Sequence, residues 1–584
     1  MLRRVLCLVV TLALVMCLAA CDLSMLESLI NTTASGVISP TVTYPTQIPT
    51  QSTDPTENTV GTRPTSPTEP SAGTDPTDPT EPPVVEKDQL EYTLTQTDVD
   101  EFYRLLAETE TLALVGEDLD AIELTMEQLD EAYEYMNAQC TIAMILHYNH
   151  TSDAVLEDQY LNCVEICTQA NDAYVQMIKR LYMSDTPAKD ALFEGWTEED
   201  FANLMSYDEQ IALLQQRNAE IKVEYRATDD DAVRIELYIE FVQNNNQMAA
   251  YYGYDNYYTY AYEVGYERDY GAEELEQLRE YAVEYLVYGY DQALMNFYNS
   301  FYVKLHSGGQ QAVQNFLIQD YSANTSRFVE QYLQALPGDM GDIMSNMLEQ
   351  DSLFANSDDS MEGAFTTSIG DRSYCYFGPG YATSMTVIHE GGHYYASRYA
   401  DIMGMPLDLA ETHSQGNEWL FLSFLDGKMP SSQYRALTDY FLYENMANIL
   451  ICLMVDEFEQ IVYSSDLTGF TAADFDAIMD EVSLRYFPNG DVADMLADVN
   501  GYWRMVVVDQ PVYYISYAVS AMASISLYTL AEEDYDEAIL VYRRLCEEID
   551  EEAGFLENIT AAGLLTPFDE TFYQELTALL SARA

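Results

Sequence analysis

Between residues 120 and 305, apolar side chains return every three or four positions, in long runs at 120–149, 153–183, 208–250 and 272–305. That spacing gathers them on one face of an α-helix. Strands do not alternate with these runs, so a parallel α/β architecture is not expected. Turn signals separate the runs, among them Asn149-His150-Thr151-Ser152-Asp153 and Ser307-Gly308-Gly309. Asp153 is placed to cap the helix that follows it. A chain of 584 residues is too long for one compact core, so two or more lobes are expected.

The pattern changes at 361–378. Gly363 to Ser368 and Arg372 to Phe377 are short, aromatic and β-branched, with Ile369-Gly370-Asp371 between them. This reads as a β-hairpin. Gly378-Pro379-Gly380 ends it, and a helix is expected from near Ala382. After residue 410 the helical pattern resumes nearly to the end. The fold class is therefore mostly α, with a small hairpin beside the helix at 382.

That helix carries His389-Glu390-Gly391-Gly392-His393. Residues four apart share a helix face, so both imidazoles point the same way and can ligate one zinc. Glu390 projects beside them, ready to take a proton from water that a metal has made acidic. The chain has only six histidines, which makes this spacing a specific signal. Gly391 and Gly392 each cost a helix roughly 1 kcal/mol against Ala. Close approach by a neighbouring backbone is the expected reason for both.

Two histidines need a third ligand. Eighteen residues past His393 comes Glu411, in the string Glu411-Thr412-His413-Ser414-Gln415-Gly416-Asn417-Glu418. Pro406 and Asp408 mark a helix start. Such a helix presents Glu411, Ser414 and Glu418 on roughly one face, with Glu411 to ligate and the other two to support. His413 is the rival ligand.

HExGH followed by Glu-x-His-Ser-x-x-x-Glu resembles the thimet oligopeptidase and oligoendopeptidase F family of zinc peptidases. Met361-Glu362-Gly363-Ala364-Phe365-Thr366-Thr367 resembles the family's hairpin at the substrate edge. The stretch from Ala249 to Tyr270 resembles a segment of its helical lobe, and Pro511-Val512-Tyr513-Tyr514-Ile515-Ser516-Tyr517-Ala518 its tyrosine-rich helix. The resemblance implies a two-lobed helical ellipsoid with a deep channel and one zinc at its floor. Asp509 and Pro511 open that helix, with Tyr514 and Tyr517 three apart on it; the resemblance implies that its tyrosines steady the oxyanion and hold substrate, Tyr517 first and Tyr514 second. Two departures stand out. Trp503 to Val508 lacks the family's histidine, and the stretch from His393 to Glu411 is shorter than in its better-known members.

The N-terminus points outside the cell. Arg3 and Arg4 precede an apolar run from Val5 to Ala20, which reads as a secretory signal. It ends Leu18-Ala19-Ala20-Cys21, similar to a bacterial lipobox, so Cys21 is the expected lipid attachment site. From Val37 to Val85 the chain is rich in Thr, Pro, Asp and Glu, and reads as a disordered stalk. At roughly 3.1 Å per residue its extended limit is on the order of 150 Å. The expected organisation is a signal peptide at 1–20, a lipidated stalk at 21–88, a helical lobe at 89–350 and a zinc-binding catalytic lobe at 351–584. A formal net charge of −73 excludes nucleic acid as a partner and reads otherwise as a solvated surface.

Cys163 and Cys167 fall on the stripe Leu156, Tyr160, Cys163, Cys167, Ala170, Tyr174, Met177, Leu181, and read as buried apolar side chains. The function expected is zinc-dependent endopeptidase cleavage of oligopeptides on the outer face of the cytoplasmic membrane. The alternatives are a metallocarboxypeptidase of similar shape and an inactive peptide-binding lipoprotein. A carboxypeptidase needs a basic group for the substrate's terminal carboxylate, and the chain has only 25 Lys and Arg to supply it.

Overall fold

The computed structural model describes residues 90–584 apart from 197–200, 202–208, 229, 322–325, 356, 358, 371, 401–404, 489–502, 509 and 552. The signal-like run, Cys21, the Thr/Pro stalk and Asp509 lie outside the described residues. Among the described residues no helix is long and apolar enough to cross a membrane.

Capping chemistry starts the first helices. α1 (Gln96–Val115) opens on a Thr95–Asp98 capping box, and α2 (Leu119–Asn149) on Asp118. α3 (Ala154–Met183) opens on Asp153, whose carboxylate accepts from Val155 N at 2.9 Å, as its position led us to expect. These three helices enclose a core of their own, which includes Phe102, Leu129, Tyr133, Tyr174 and Ile178.

A larger core runs from Ile221 to Leu580 and holds the rest of the molecule together. The residue-350 boundary read from the sequence falls inside it. The run at 208–250 divides into Glu209–Ala227 and Asp231–Tyr251, because Asp230 caps the second helix through Ala232 N. The run at 272–305 is likewise interrupted, by π-helical turns at Ala282–Leu286 and Tyr298–Lys304.

The hairpin forms where its pattern predicted, and gains a partner. β2 (Ala364–Ile369) pairs antiparallel with β3 (Arg372–Phe377), and β1 (Ser352–Phe354) adds parallel on the other side of β3. The parallel strand is too short to show in the sequence. Beyond the sheet lie α4 (Ser384–Ala396), α5 (Leu407–Phe424), the 33-residue α6 (Ser431–Tyr463) and α7 (Ile515–Glu533). The end of α2 docks on the sheet, where Met361 N donates to Tyr148 O at 2.7 Å and Tyr376 Oη to the same oxygen at 3.0 Å. The mostly α class with a small sheet beside α4 is the one expected.

Candidate active site

Thr383 sets the start of α4 by accepting from Thr386 N at 3.2 Å. His389 and His393 follow one turn apart, their ring centroids separated by 5.1 Å and their planes by 79°. α5 crosses against them. His389 Nε2 lies 3.7 Å from Glu411 Oε2. One ligand atom from each of His389, His393 and Glu411 falls within 4.8 Å of the other two.

The crossing depends on a missing side chain. A Cβ on Gly392 would stand 2.6 Å from the His413 carbonyl oxygen and 2.7 Å from Ser414 Cα. Nothing larger than glycine fits there without moving a backbone. Gly391 has ordinary contact distances, with Asn417 Nδ2 at 3.7 Å, so the close approach expected of both glycines is made by Gly392 alone. Asn417 ties the helices further, donating to Ile388 O at 2.7 Å while accepting from Tyr332 Oη at 2.7 Å.

Supporting groups surround the donors. His389 Nδ1 donates to Glu418 Oε1 at 2.9 Å, which leaves Nε2 as the nitrogen turned toward Glu411. Ser414 donates to the Glu411 carbonyl at 3.0 Å and lies 3.3 Å from its Oε2. His413, the rival ligand, is fully buried on the other side of α5 and donates from Nε2 to Leu545 O at 3.2 Å. It is not part of the converging group.

Glu390 is buried, and Thr366 on β2 donates to its Oε2 at 2.7 Å. Burial pushes this carboxyl up to about 7, with His389 and Thr366 pulling the other way. Burial also raises Glu411. It pushes His393 well below its ordinary value, helped by His389 and His413, so its imidazole is neutral. For His389 burial opposes the proton, but Glu418, Glu411 and Glu390 prevail and raise it to about 9. Two imidazoles and a carboxylate form a donor set that fits zinc. Both histidine side chains are only partly buried, so the site is open on one side.

Thr366 was not singled out from the sequence. It lies inside the hairpin string, but alternation along a strand leaves two candidate faces and cannot say which one meets α4.

The tyrosines head a neighbouring helix. α7 runs along α5, where Gln415 Nε2 donates to Ser520 Oγ at 3.2 Å and Trp419 stacks on Tyr528 at 4.4 Å. Tyr514 is the N-cap residue and not an interior position, because the helix begins at Ile515. Tyr513 Oη lies 3.2 Å from Tyr517 Oη. Tyr514 and Tyr517 are half-buried, whereas Tyr513 is buried.

Val512, just ahead of them, has φ +62°, a conformation costly for a β-branched residue. Three side chains brace it. Tyr266 Oη donates to Pro511 O at 2.9 Å, and Val512 N donates to Glu459 Oε1 at 2.9 Å. Arg268 Nη2 donates to both Val512 O and Ser516 Oγ at 2.9 Å. The Arg268 side chain is 1% exposed and its Nε lies 3.9 Å from Asp408 Oδ2, one turn ahead of Glu411. The heads of α5 and α7 therefore meet at one buried arginine.

No protein-family model and no curated protein matches the sequence. Solved structures do match. A PZ peptidase A with inhibitor 2 aligns at a TM-score of 0.63 and 15% identity, over 84% of this chain and 99% of that one. An X-ray structure assigned as oligoendopeptidase F gives 0.63 and 17%, over 84% and 97%. Another so assigned, from Bacillus anthracis str. Ames, gives 0.63 and 14%, over 84% and 97%. The chain has their fold. The oligoendopeptidase F fold spans nearly the whole of each matched structure, and it is the fold that the sequence resemblance implied.

Proposed function

We propose that this chain is a zinc-dependent endopeptidase for oligopeptides, with His389, His393 and Glu411 holding the metal and Glu390 as general base. The observation that carries this reading is the convergence of those three side chains beside a buried carboxylate that is itself held by a hydrogen bond. The shared fold supports peptides as the substrate class. Zinc bound there supplies Lewis acidity toward a peptide carbonyl and acidifies water.

The chain's own residues do the rest. Glu390 takes the proton of the attacking water and passes it to the departing amine; burial near neutrality suits both transfers. Thr366 fixes the orientation of that carboxylate. Glu418 fixes the His389 ring and its tautomer. Tyr517, with Tyr514 second, donates to the oxyanion that develops on the substrate. Cys21 carries the lipid that keeps the enzyme on the outer face of the membrane; Cys21→Ala is expected to move it to the soluble fraction.

Cleavage of a quenched fluorescent peptide library tests the reading. Chelation is expected to abolish cleavage and zinc to restore it, while Glu390→Gln lowers kcat on the order of 10²–10⁴-fold. Cleavage of peptides capped at both ends separates an endopeptidase from a carboxypeptidase. Peptide binding without turnover, the same in native and Glu390→Gln protein, would overturn the proposal in favour of a binding protein.

A further inference from the structure

The sequence stripe on α3 accounts for Cys163 and Cys167 as apolar side chains, but it does not foresee what faces them. α2 brings Cys140 to the same point. One sulfur from each of the three cysteines lies within 4.8 Å of the other two. Tyr92 packs against the core that holds all three. Cys167 Sγ donates to Met136 O at 3.5 Å. All three are buried, Cys163 and Cys167 completely. Cys375, Cys452 and Cys546 enter no such group among the described residues.

We propose that Cys140, Cys163 and Cys167 bind one thiophilic closed-shell cation, zinc first and monovalent copper second. Metal–sulfur bonds of about 2.3 Å place three sulfurs about 4 Å apart around a common centre. The thiols need draw in by less than about 1 Å to reach that geometry. Copper(I) is satisfied by three sulfur donors. Zinc takes a fourth donor, which Tyr92, packed against the same core, would supply through its hydroxyl. Each ligating thiol gives its proton to solvent, and nothing is oxidised or reduced. Three thiolates leave a buried charge of −1 with zinc and −2 with copper(I), which is why zinc comes first. A closed site of this kind is structural: it cross-links α2 to α3 and ties down the segment that carries Tyr92.

The proposal is independent of the peptidase reading, and metal analysis separates the two. Reduced native protein dialysed against zinc is expected to hold two zinc ions per chain. Titration with a mercurial thiol reagent should release one of them as three thiols react. The pair Cys163→Ala and Cys167→Ala should hold one zinc and keep peptide turnover, with circular dichroism confirming its fold; Cys140→Ala is the gentler second variant. His389→Ala with His393→Ala should lose turnover but keep the thiol-bound ion. In the copper arm, native protein is expected to take one copper(I) from bathocuproine disulfonate. Failure of the folded native protein to hold either ion through its cysteines overturns the proposal. So does a disulfide between Cys140 and either cysteine of α3.

Discussion

On α4 and α5 the proposed metal ligands are placed by the helix repeat and one backbone contact at Gly392, whereas the tyrosines at the head of α7 are placed by side chains from far along the chain. Tyr266, Arg268 and Glu459 hold a turn that Val512 does not favour. The first arrangement is local and nearly strain-free. The second exists only once remote helices have packed. Ligand geometry should therefore survive most changes outside the helix pair, while tyrosine geometry should be sensitive to changes more than 200 residues away.

Arg268→Met tests the remote side most severely. It removes the two hydrogen bonds to Val512 and Ser516 and leaves Asp408 buried without its cation. The expected loss is about 3–5 kcal/mol in urea unfolding. Turnover should fall while zinc content holds in the protein that stays folded. Equal loss of bound zinc would erase the distinction between the two sides. Gly392→Ala tests the local side: its Cβ meets backbone at 2.6 Å, so α4 and α5 must separate. About 1–3 kcal/mol of stability and most of the zinc affinity should go together.

Glu418→Gln is milder. It weakens the hold on the His389 ring, and zinc affinity measured by chelator competition should drop about 10–100-fold with little change in unfolding. Val512→Gly sets two effects against each other, since glycine accepts φ +62° without strain but empties a fully buried side chain. Thermal unfolding should show a net loss of roughly 1–2 kcal/mol, less than a buried valine costs elsewhere, with turnover unchanged if the braces alone aim the tyrosines.

The smallest effect expected is on pH dependence. Burial holds the Glu459 carboxyl well above its ordinary range, only partly offset by Val512 N and Arg268. The folded chain keeps a proton there that the unfolded chain releases, so this group costs stability increasingly as pH rises beyond the ordinary carboxylate range. Glu459→Gln keeps an acceptor for Val512 N and removes the titration. Its stability relative to native protein should improve with rising pH, and a constant difference would show that Glu459 does not titrate in that window.

The convergence of His389, His393 and Glu411 was legible in the sequence because its spacing is the helix repeat itself. His389 and His393 at four residues, and Glu411 with Glu418 on the next helix, need only the two helices to cross. The hairpin was legible through its alternation, and Asp153 through its capping chemistry. What escaped was contact between elements. Thr366 reaches Glu390 only because β2 lies along α4, and Cys140 meets Cys163 and Cys167 only because α2 packs on α3. The division of the run 208–250 into two helices, the second capped by Asp230, and the position of Tyr514 ahead of α7, turned on capping and packing that periodicity does not encode.

That Gly392 and not Gly391 had to stay small came from the structure; periodicity and local chemistry determined which segments are helices and which faces carry donors. Such information is carried within a turn or two of chain, where side chains meet through the backbone's own geometry. The structure brings Glu411, and not its rival His413, to the histidines, and tertiary structure alone decided which threonine holds Glu390 and where three scattered thiols meet. Those choices depend on how helices cross, and crossing is set by packing summed over the whole core rather than by any short stretch of sequence.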